Sequence, residues 1–267
     1  MNSLFDTHCH LNLPHYQKDI SEVINRAKNN QVEYLLIPGI DSPSSIDAIN
    51  LCVSYENMFA ACGLHPNSKI NDHVQELRLI KNQLKNNGVV AIGEIGLDFF
   101  REHNTKDFQI TIFEAHLQFA KEIEKPIIIH NRLADDTLWS ILENWHKSLP
   151  VNSILKNRPG VLHAFSGSAE LARKAIDLNF SIGIAGSITY HNADNLRDII
   201  SKLPLQSIIL ETDSPYLTPH PKRGERNEPS FLSYTAQQLC KIFNIEMEQI
   251  KKITTENALN LFNKKSH

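Results

Sequence analysis

The 267-residue sequence predicts an α/β protein with a (β/α)8 architecture, a TIM barrel that forms a single domain over residues 1–267. Short apolar segments recur eight times, and a longer amphipathic or polar stretch follows each of them. Some segments are apolar almost throughout, as parallel strands buried on both faces are. In order, the segments are SLFDTHCH, EYLLIPGI, NMFAACGLH, VVAIGEIGLD, KPIIIHNR, GVLHAFSG, FSIGIAG and SIILETDSP. This alternation favours a closed barrel, and a doubly wound open sheet is the alternative because periodicity does not separate the two.

The stretches between these segments have the spacing of amphipathic helices. The clearest patterns are Ile20, Val23, Ile24 and Ala27 after the first segment, and Phe108, Ile112, Ala115, His116 and Phe119 after the fourth. From Ser230 to Phe262 the pattern is helical again and predicts a segment that packs back onto the barrel. The intervening stretch, Pro215 to Pro229, contains four prolines and the string KRGERNEP. We expect it to be the loop after strand eight, on the face where barrel active sites occur.

The composition is that of a soluble globular protein, with 41% hydrophobic and 21% charged residues. No apolar run approaches the roughly 18 residues that span a membrane, and the N-terminus lacks the pattern of a signal peptide. The four cysteines form no CxxC pair, which is typical of reduced thiols in a cytoplasmic protein. The net charge of −3 argues against a protein that wraps long duplex DNA. The expected protein is therefore cytoplasmic, without a membrane partner, and monomeric.

Ionisable side chains stand where the predicted strands end. The positions are His8, His10, His65, Glu94, His130, His163 and Asp213. Because the parallel strands of a barrel end on one face, these side chains are expected to converge on one mouth. His8 and His10 are two residues apart, so both imidazoles can point to the same face of a strand. Asp6 is on that face one residue layer deeper, and we expect it to orient a ligand histidine.

A metal site accounts for this set of residues. Glu94 closes a strongly apolar strand, where a carboxylate is costly to bury unless it is paired or coordinated. Taken singly, Glu94 could pair with a Lys or Arg, and His130 could be a hydrogen-bonded core histidine. Together the residues favour two divalent cations roughly 3.5–4 Å apart that activate a water. Imidazole and carboxylate ligands suit Zn, Mn, Co or Mg, and the histidines disfavour a pure Mg or Ca site. The expected ligands are His8, His10, Glu94, His130, His163 and Asp213.

Seven motifs, in order, resemble those of the TatD-type metal-dependent deoxyribonucleases, which belong to the amidohydrolase-like metal hydrolases. They are FDTHCHL, GLHP, GEIGLDF, PIIIHNR, HAFSG, ETDSPYL and RGERNEP. The resemblance extends from Phe5 to Phe262. It implies a TIM barrel and a cytoplasmic two-metal hydrolase that cleaves phosphodiester bonds in DNA, often as an exonuclease. The flanking residues in HAFSG and IGIAGSITY differ from those of many relatives, which affects substrate preference and leaves the metal positions intact.

The resemblance also implies roles for single residues. All six expected ligands fall on ligand positions of the family, with Glu94 as the carboxylate that bridges the metals. Asp213 is in addition the implied general base on the attacking water. His65 and Arg132 match positions associated with the substrate phosphate, and Arg223 in the RGERNEP loop is a further candidate for the same task.

Three functions are compatible with these residues. The first is a metal phosphodiesterase that acts on DNA ends or single strands. The second is an enzyme for a carbonyl centre, such as an amidohydrolase or an aminoacyl-tRNA deacylase. Many C–N hydrolases of this fold bridge their metals with a carboxylated lysine, so Glu94 favours phosphoryl chemistry, and Arg132, Arg223 and Arg226 suit phosphate. The third is a non-catalytic metal-binding or partner-binding protein, which the presence of Asp213 disfavours.

Overall fold

The computed structural model, described over residues 3–101 and 103–263, has one sheet of eight parallel strands in sequential order. The strands are β1 (Leu4–Asp6), β2 (Val32–Pro38), β3 (Met58–Cys62), β4 (Val89–Asp98), β5 (Ile127–Arg132), β6 (Gly160–Leu162), β7 (Ser181–Ile184) and β8 (Ile208–Leu210). The first and last strands meet, since the Thr7 amide donates to the Leu210 carbonyl at 3.0 Å and Cys9 pairs with Ser214. The predicted TIM barrel is confirmed, and the doubly wound alternative is wrong because the strand order never reverses.

Helices follow the strands around the outside of the barrel. They are α1 (Ile20–Asn29), α2 (Ser42–Ser54), α3 (His73–Gln83), α4 (Lys106–Ile123), α5 (Asp135–Ser148), α6 (Ala169–Asp177), α7 (Asp194–Ser201), α8 (Leu232–Phe243) and α9 (Met247–Leu261). The helical patterns predicted in α1 and α4 are confirmed. Side-chain oxygens cap several helix starts, and Thr105, for example, accepts a hydrogen bond from the Phe108 amide at the start of α4.

The barrel interior is filled by one apolar side chain from nearly every strand. Its members are Phe5, Leu36, Ala61, Ala91, Ile128, Val161 and Ile209. In β7 the corresponding position is a glycine, Gly183. The Phe5 ring lies 6.0 Å from the Phe262 ring, which follows α9, so the end of that helix closes the lower end of the barrel. Because successive side chains in a strand alternate between faces, the residues two positions beyond Ile128, Val161 and Ile209 also point inward.

The loop 215–229 and the helices after it make contacts with the first strand and helix of the barrel. The loop is irregular, as expected, and α8 and α9 then pack against the barrel, where the Thr255 hydroxyl donates to the Ser3 carbonyl. The Arg26 guanidinium forms a bidentate ion pair with Glu228, at 2.6 Å for the shortest contact. Among the helices of the described residues, none combines the length and the apolar character that crossing a lipid bilayer requires.

Candidate metal centre

The six predicted ligands meet at the carboxyl-terminal mouth of the barrel. They arrive from separate strand ends: His8 and His10 after β1, Glu94 within β4, His130 within β5, His163 after β6, and Asp213 after β8. The alternation of the strands explains the convergence, because His130, His163 and the carboxylates after β8 follow inward-facing apolar residues at spacings of two. Within the described residues, three overlapping sets of side chains at this mouth could each hold a metal ion: His8, Glu94 and His163; His8, His10 and Asp213; and His65, Glu94 and His130. Together they form two groups of ligand atoms, one around each oxygen of Glu94.

The first group lies on the side of the mouth formed by β1 and β8. The Nε2 atoms of His8 and His10 are 3.1 Å apart. Oδ1 of Asp213 lies 3.8 Å from the first of these nitrogens and 3.5 Å from the second. Oε2 of Glu94 lies 3.4 Å and 3.5 Å from the same two atoms. Two imidazole nitrogens and two carboxylate oxygens therefore face one another at distances that a shared cation would span.

The second group lies around the other oxygen of Glu94. Oε1 is 2.9 Å from Nδ1 of His130, 3.5 Å from Nε2 of His65 and 3.9 Å from Nε2 of His163. The two oxygens of one buried carboxylate thus point to two different groups of histidines. His65, which the sequence assigned to substrate, lies within this second group.

The electrostatics of the cluster match a site for cations. Burial alone would raise the pKa of Glu94, but the imidazoles around it, with His130 and His8 in hydrogen-bonding contact, hold it well below its ordinary value. Burial would lower the pKa of His163, yet the carboxylates of Glu211 and Asp213 raise it to about 10. The carboxylates therefore attract positive charge to this point, and a divalent cation bound by these residues would supply it in place of a proton. Together with the nitrogen and oxygen donor set, this fits a transition-metal site.

A carboxylate beneath the cluster contacts one of the predicted ligands. Oε1 of Glu211 lies 2.9 Å from Nδ1 of His163 and accepts a hydrogen bond from the Ala164 amide at 2.5 Å. A Cβ atom at Gly183 would come within 2.6 Å of this carboxylate, so the glycine leaves the space that Glu211 fills. Nε2 of the same ring lies 3.6 Å from Oδ1 of Asp213, so His163 lies between the two carboxylates.

Asp98 is a buried carboxylate beside a predicted ligand that the sequence analysis missed. Its Oδ2 accepts a hydrogen bond of 2.6 Å from the side-chain amide of Asn67 and lies 3.4 Å from Nε2 of His130. Its Oδ1 accepts from the backbone amides of Phe100 and Arg101, both at 2.9 Å. Asp98 therefore connects a predicted ligand to the turn after β4. Its place at the end of the same apolar strand as Glu94 is the signal that could have found it.

Asp6 differs from its expected role. Its carboxylate accepts hydrogen bonds from the Thr212 amide at 2.9 Å and the Thr212 hydroxyl at 2.6 Å, and its contact with His8 is to the backbone amide, at 3.3 Å. It holds the end of β1 against the end of β8 and does not orient an imidazole. Burial raises the pKa of this carboxyl to about 7.

The four candidates for phosphate binding, one histidine and three arginines, have different surroundings. His65 lies in the cluster, and Arg132 lies two residues beyond His130, with its guanidinium 3.8 Å from the centre of the Phe100 ring. Arg223 lies on the rim, with its guanidinium 4.2 Å from the centre of the Tyr190 ring. Arg226 is engaged elsewhere: it forms a bidentate ion pair with Asp19, at 2.9 and 2.6 Å, which explains why it does not serve the mouth as its sequence motif suggested.

Three residues at this mouth have a left-handed backbone conformation. Leu133, Ala164 and Asp213 have φ values of 52°, 43° and 55°. These are sparsely populated for residues other than glycine, asparagine and aspartate, and they persist where the surrounding structure imposes them. Each of the three residues directly follows or carries a predicted site residue at the end of β5, β6 or β8. At Leu133 and Ala164, the turn after a strand therefore imposes a backbone conformation that these residue types rarely adopt.

Comparisons with known proteins agree with this geometry. The family model described as TatD related DNase matches residues 5–263. The Bacillus subtilis (strain 168) protein YabD, an uncharacterized metal-dependent hydrolase, is 40% identical over 259 residues, which cover 97% of this chain and 98% of YabD. The Escherichia coli (strain K12) protein YcfH, described in the same words, is 34% identical over 263 residues, with coverage of 97% and 95%. The crystal structure of YjjV, a TatD homologue from Escherichia coli K12, matches at a TM-score of 0.90 and 32% identity, covering 97% of this chain and 98% of that one. The chain belongs to the TatD family and is a metal-dependent hydrolase.

Proposed function

We propose that this protein hydrolyses phosphodiester bonds in DNA, as an exonuclease acting on DNA ends or single strands, with two divalent cations at the barrel mouth. The position of Glu94 carries the proposal. One of its oxygens faces His8 and His10, and the other faces His130 and His163. A carboxylate between two ligand groups is suited to a two-metal phosphodiesterase. The description of the matching family, TatD related DNase, supports the same substrate.

The proposal gives each ligand a place. His8, His10, Glu94 and Asp213 would hold one cation, and Glu94, His130 and His163 would hold the other. Bound Zn, Mn, Co or Mg would polarise the scissile phosphate and supply a nucleophilic water near neutral pH. The part of Glu94 in catalysis is to fix the separation of the two ligand groups.

Asp213 is assigned the general base. Its side chain is 15% exposed, against 4% for Glu94, so it is the carboxylate of the cluster that a water at the mouth can reach. Burial alone would raise its pKa, but His163 and the hydrogen-bonded His10 lower it. An ionised carboxylate at this point can accept the proton of the attacking water.

His65 is assigned to a phosphate oxygen. The Asn67 amide donates a hydrogen bond of 3.0 Å to Nδ1 of His65, so this nitrogen is an acceptor. Burial lowers the pKa of the ring to about 3, which keeps it neutral, and its one proton is then on Nε2. That nitrogen presents an N–H donor and no lone pair, which suits an anionic oxygen better than a cation.

Arg132 is assigned to the same phosphate. Stacking on Phe100 fixes the plane of the guanidinium, and a guanidinium held in one plane presents paired donors to phosphate. Loss of such a contact typically costs about 1.5–3 kcal/mol. Arg132→Ala should therefore lower kcat/KM on DNA by roughly 10- to 150-fold while the metal content stays the same. Loss of metal together with activity would make Arg132 a structural residue.

An enzyme for a carbonyl centre, such as an aminoacyl-tRNA deacylase, is the second candidate. The same cations could activate water toward an ester or amide. The hydrogen-bond donors at the mouth favour the phosphodiesterase, because the Arg132 guanidinium and the Nε2–H of His65 suit an anionic substrate better than a neutral carbonyl.

One experiment separates these functions. End-labelled single- and double-stranded oligonucleotides and an aminoacyl ester are each incubated with the protein, with chelator and with each of Zn, Mn, Co and Mg. Metal-dependent shortening of the oligonucleotides, with the ester left intact, is the expected result. His10→Ala should lose one cation by elemental analysis, together with most of the activity. Ester hydrolysis without DNA cleavage would replace the proposal with the second candidate.

A further inference from the structure

Exposed aromatic side chains are rare on this protein and are confined to the mouth. Among the described Phe, Tyr and Trp residues, Phe100 and Tyr216 are the two that are exposed, at 57% and 52%. Phe100 follows β4, and Tyr216 lies three residues after Asp213. In a closed barrel of eight sequential strands, the ends of β4 and β5 are diametrically opposite the ends of β8 and β1. The two rings therefore flank the candidate metal centre from opposite sides.

Each ring is held in place by groups of the centre. The Phe100 amide donates to Asp98, which also approaches His130, and the Phe100 ring lies against the guanidinium of Arg132. The Tyr216 amide donates to the Asp213 carbonyl at 2.8 Å, and its ring centre is 6.2 Å from that of His10. Both rings are more than half exposed, so each leaves ring surface open to a ligand beside the centre.

A groove beside Phe100 has the size of a nucleotide. Its volume is about 670 Å³, within the range of roughly 300–1,000 Å³ for small-ligand pockets. Phe100, Arg132 and Leu133 line it, together with Ser166 and Ser168 from the loop after β6. Two carboxylates, Asp135 and Asp136, also line the groove. Their charge disfavours a second phosphate there and favours the base of a nucleotide.

We infer that Phe100 and Tyr216 are stacking platforms for the bases on the two sides of the scissile phosphate, and that they select unpaired DNA. The inference rests on the proposed function, because it places the phosphate between the two rings. A base can lie flat on either ring only after it leaves its partner and its neighbours. Stacking on an aromatic side chain tolerates every base, so the platforms favour single-stranded ends over duplex without reading sequence.

The test compares matched substitutions on two substrates. Phe100→Leu and Tyr216→Leu remove the flat ring, and Phe100→Tyr and Tyr216→Phe keep it. The substrates are a single-stranded oligonucleotide and methyl p-nitrophenyl phosphate, a phosphodiester without a base. Each leucine variant should lose about 5- to 150-fold more kcat/KM on the oligonucleotide than on the small diester, and the aromatic variants should not. Val151→Ala, which truncates an exposed apolar side chain far from the mouth, is the control for surface substitution.

Abasic substrates locate each platform. When the base on one side of the cleaved bond is removed, kcat/KM of the wild-type protein should fall by as much as it does for one of the leucine variants on the intact oligonucleotide. That variant should show no further fall in kcat/KM on the abasic oligonucleotide. Equal losses of leucine and aromatic variants, or losses equal on both substrates, would overturn the inference. If wild-type protein cleaves neither substrate, the DNase proposal fails, and oligonucleotides containing 2-aminopurine then test the platforms alone. Quenching that weakens in Phe100→Leu supports stacking, and the absence of quenching overturns it.

Discussion

The two ends of the barrel interior are built from the same strands and have opposite chemistry. At the lower end, Phe5 is surrounded by the rings of Tyr34, Phe59 and Phe262 at centre distances of 5.6, 5.7 and 6.0 Å. At the upper end, Ile209 is the inward-facing residue of β8, and the carboxylates of Glu211 and Asp213 follow it directly after the strand. The first region is apolar and closely packed, and the second collects buried carboxylates and histidines.

The same eight strands thus contribute to stability at the lower end of the barrel and to function at its mouth. Burying apolar rings contributes stabilisation in proportion to the area removed from water. Burying ionisable side chains costs desolvation that burying apolar rings does not, so a mouth of this kind is maintained for its chemistry. Substitutions at the two ends should therefore have opposite consequences: loss of activity at the mouth and loss of stability at the lower end.

The largest effect on activity is expected from Asp213→Asn. Asparagine keeps the shape of the side chain but cannot accept a proton, so kcat on DNA should fall by roughly 10²–10⁴-fold. The fold should persist, because asparagine tolerates the left-handed backbone at this position. Single-turnover cleavage of a labelled oligonucleotide, with metal content measured in parallel, checks this. Cleavage near the wild-type rate would remove Asp213 from the mechanism and leave it as a turn residue.

The largest effect on stability is expected from Phe262→Ala at the lower end. The ring is almost fully buried, and truncating a buried phenylalanine to alanine costs about 3–5 kcal/mol of unfolding free energy. Urea unfolding followed by circular dichroism measures the loss, and Val151→Ala serves as the exposed control. At a temperature where the variant stays folded, kcat/KM should match the wild type. A parallel fall in kcat/KM would mean that the two ends of the barrel are coupled.

The sequence was sufficient to predict the fold and the convergence of the six ligand candidates, because both follow from local patterns. An apolar strand that ends in a histidine or a carboxylate can be recognised from its own few residues, without knowledge of the rest of the fold. The contacts made by Arg226 and Asp6 were not readable in this way. The pair between Asp19 and Arg226 joins residues 207 positions apart, and its formation depends on where the loop 215–229 crosses α1. The platform role of Phe100 depends similarly on the turn that Asp98 fixes.

A buried histidine outside the mouth gives the protein a pH dependence of its own. His116 in α4 is fully buried, its Nδ1 donates to the Ile112 carbonyl at 2.7 Å, and burial lowers its pKa from 6.5 to about 4. The neutral ring favours the folded state, so stability is lost as the pH falls from 6.5 through 4, by about 3 kcal/mol. In His116→Leu, the fall in unfolding free energy over this range should be smaller by that amount. His191→Gln, at an exposed histidine, is the control, and an unchanged profile in His116→Leu would contradict the assignment.

The smallest effect is expected from Glu211→Gln. Glu211 lies between the apolar interior of the barrel and the ionisable side chains of the mouth. Glu211 is held between Gly183 and His163, and its Oε1 contacts Nδ1 of that histidine as well as the Ala164 amide. If Glu211 orients the His163 ring, glutamine should weaken metal affinity by roughly 10- to 100-fold, the usual effect of losing a carboxylate behind a ligand histidine. If Glu211 only accepts the Ala164 amide hydrogen bond, the glutamine oxygen can replace it and the affinity will not change. Competition for metal with a chromophoric chelator distinguishes the two results without relying on activity. If metal affinity falls while the unfolding free energy is unaltered, Glu211 serves the metal site and not stability. The functional part of this strand end would then begin directly after Ile209.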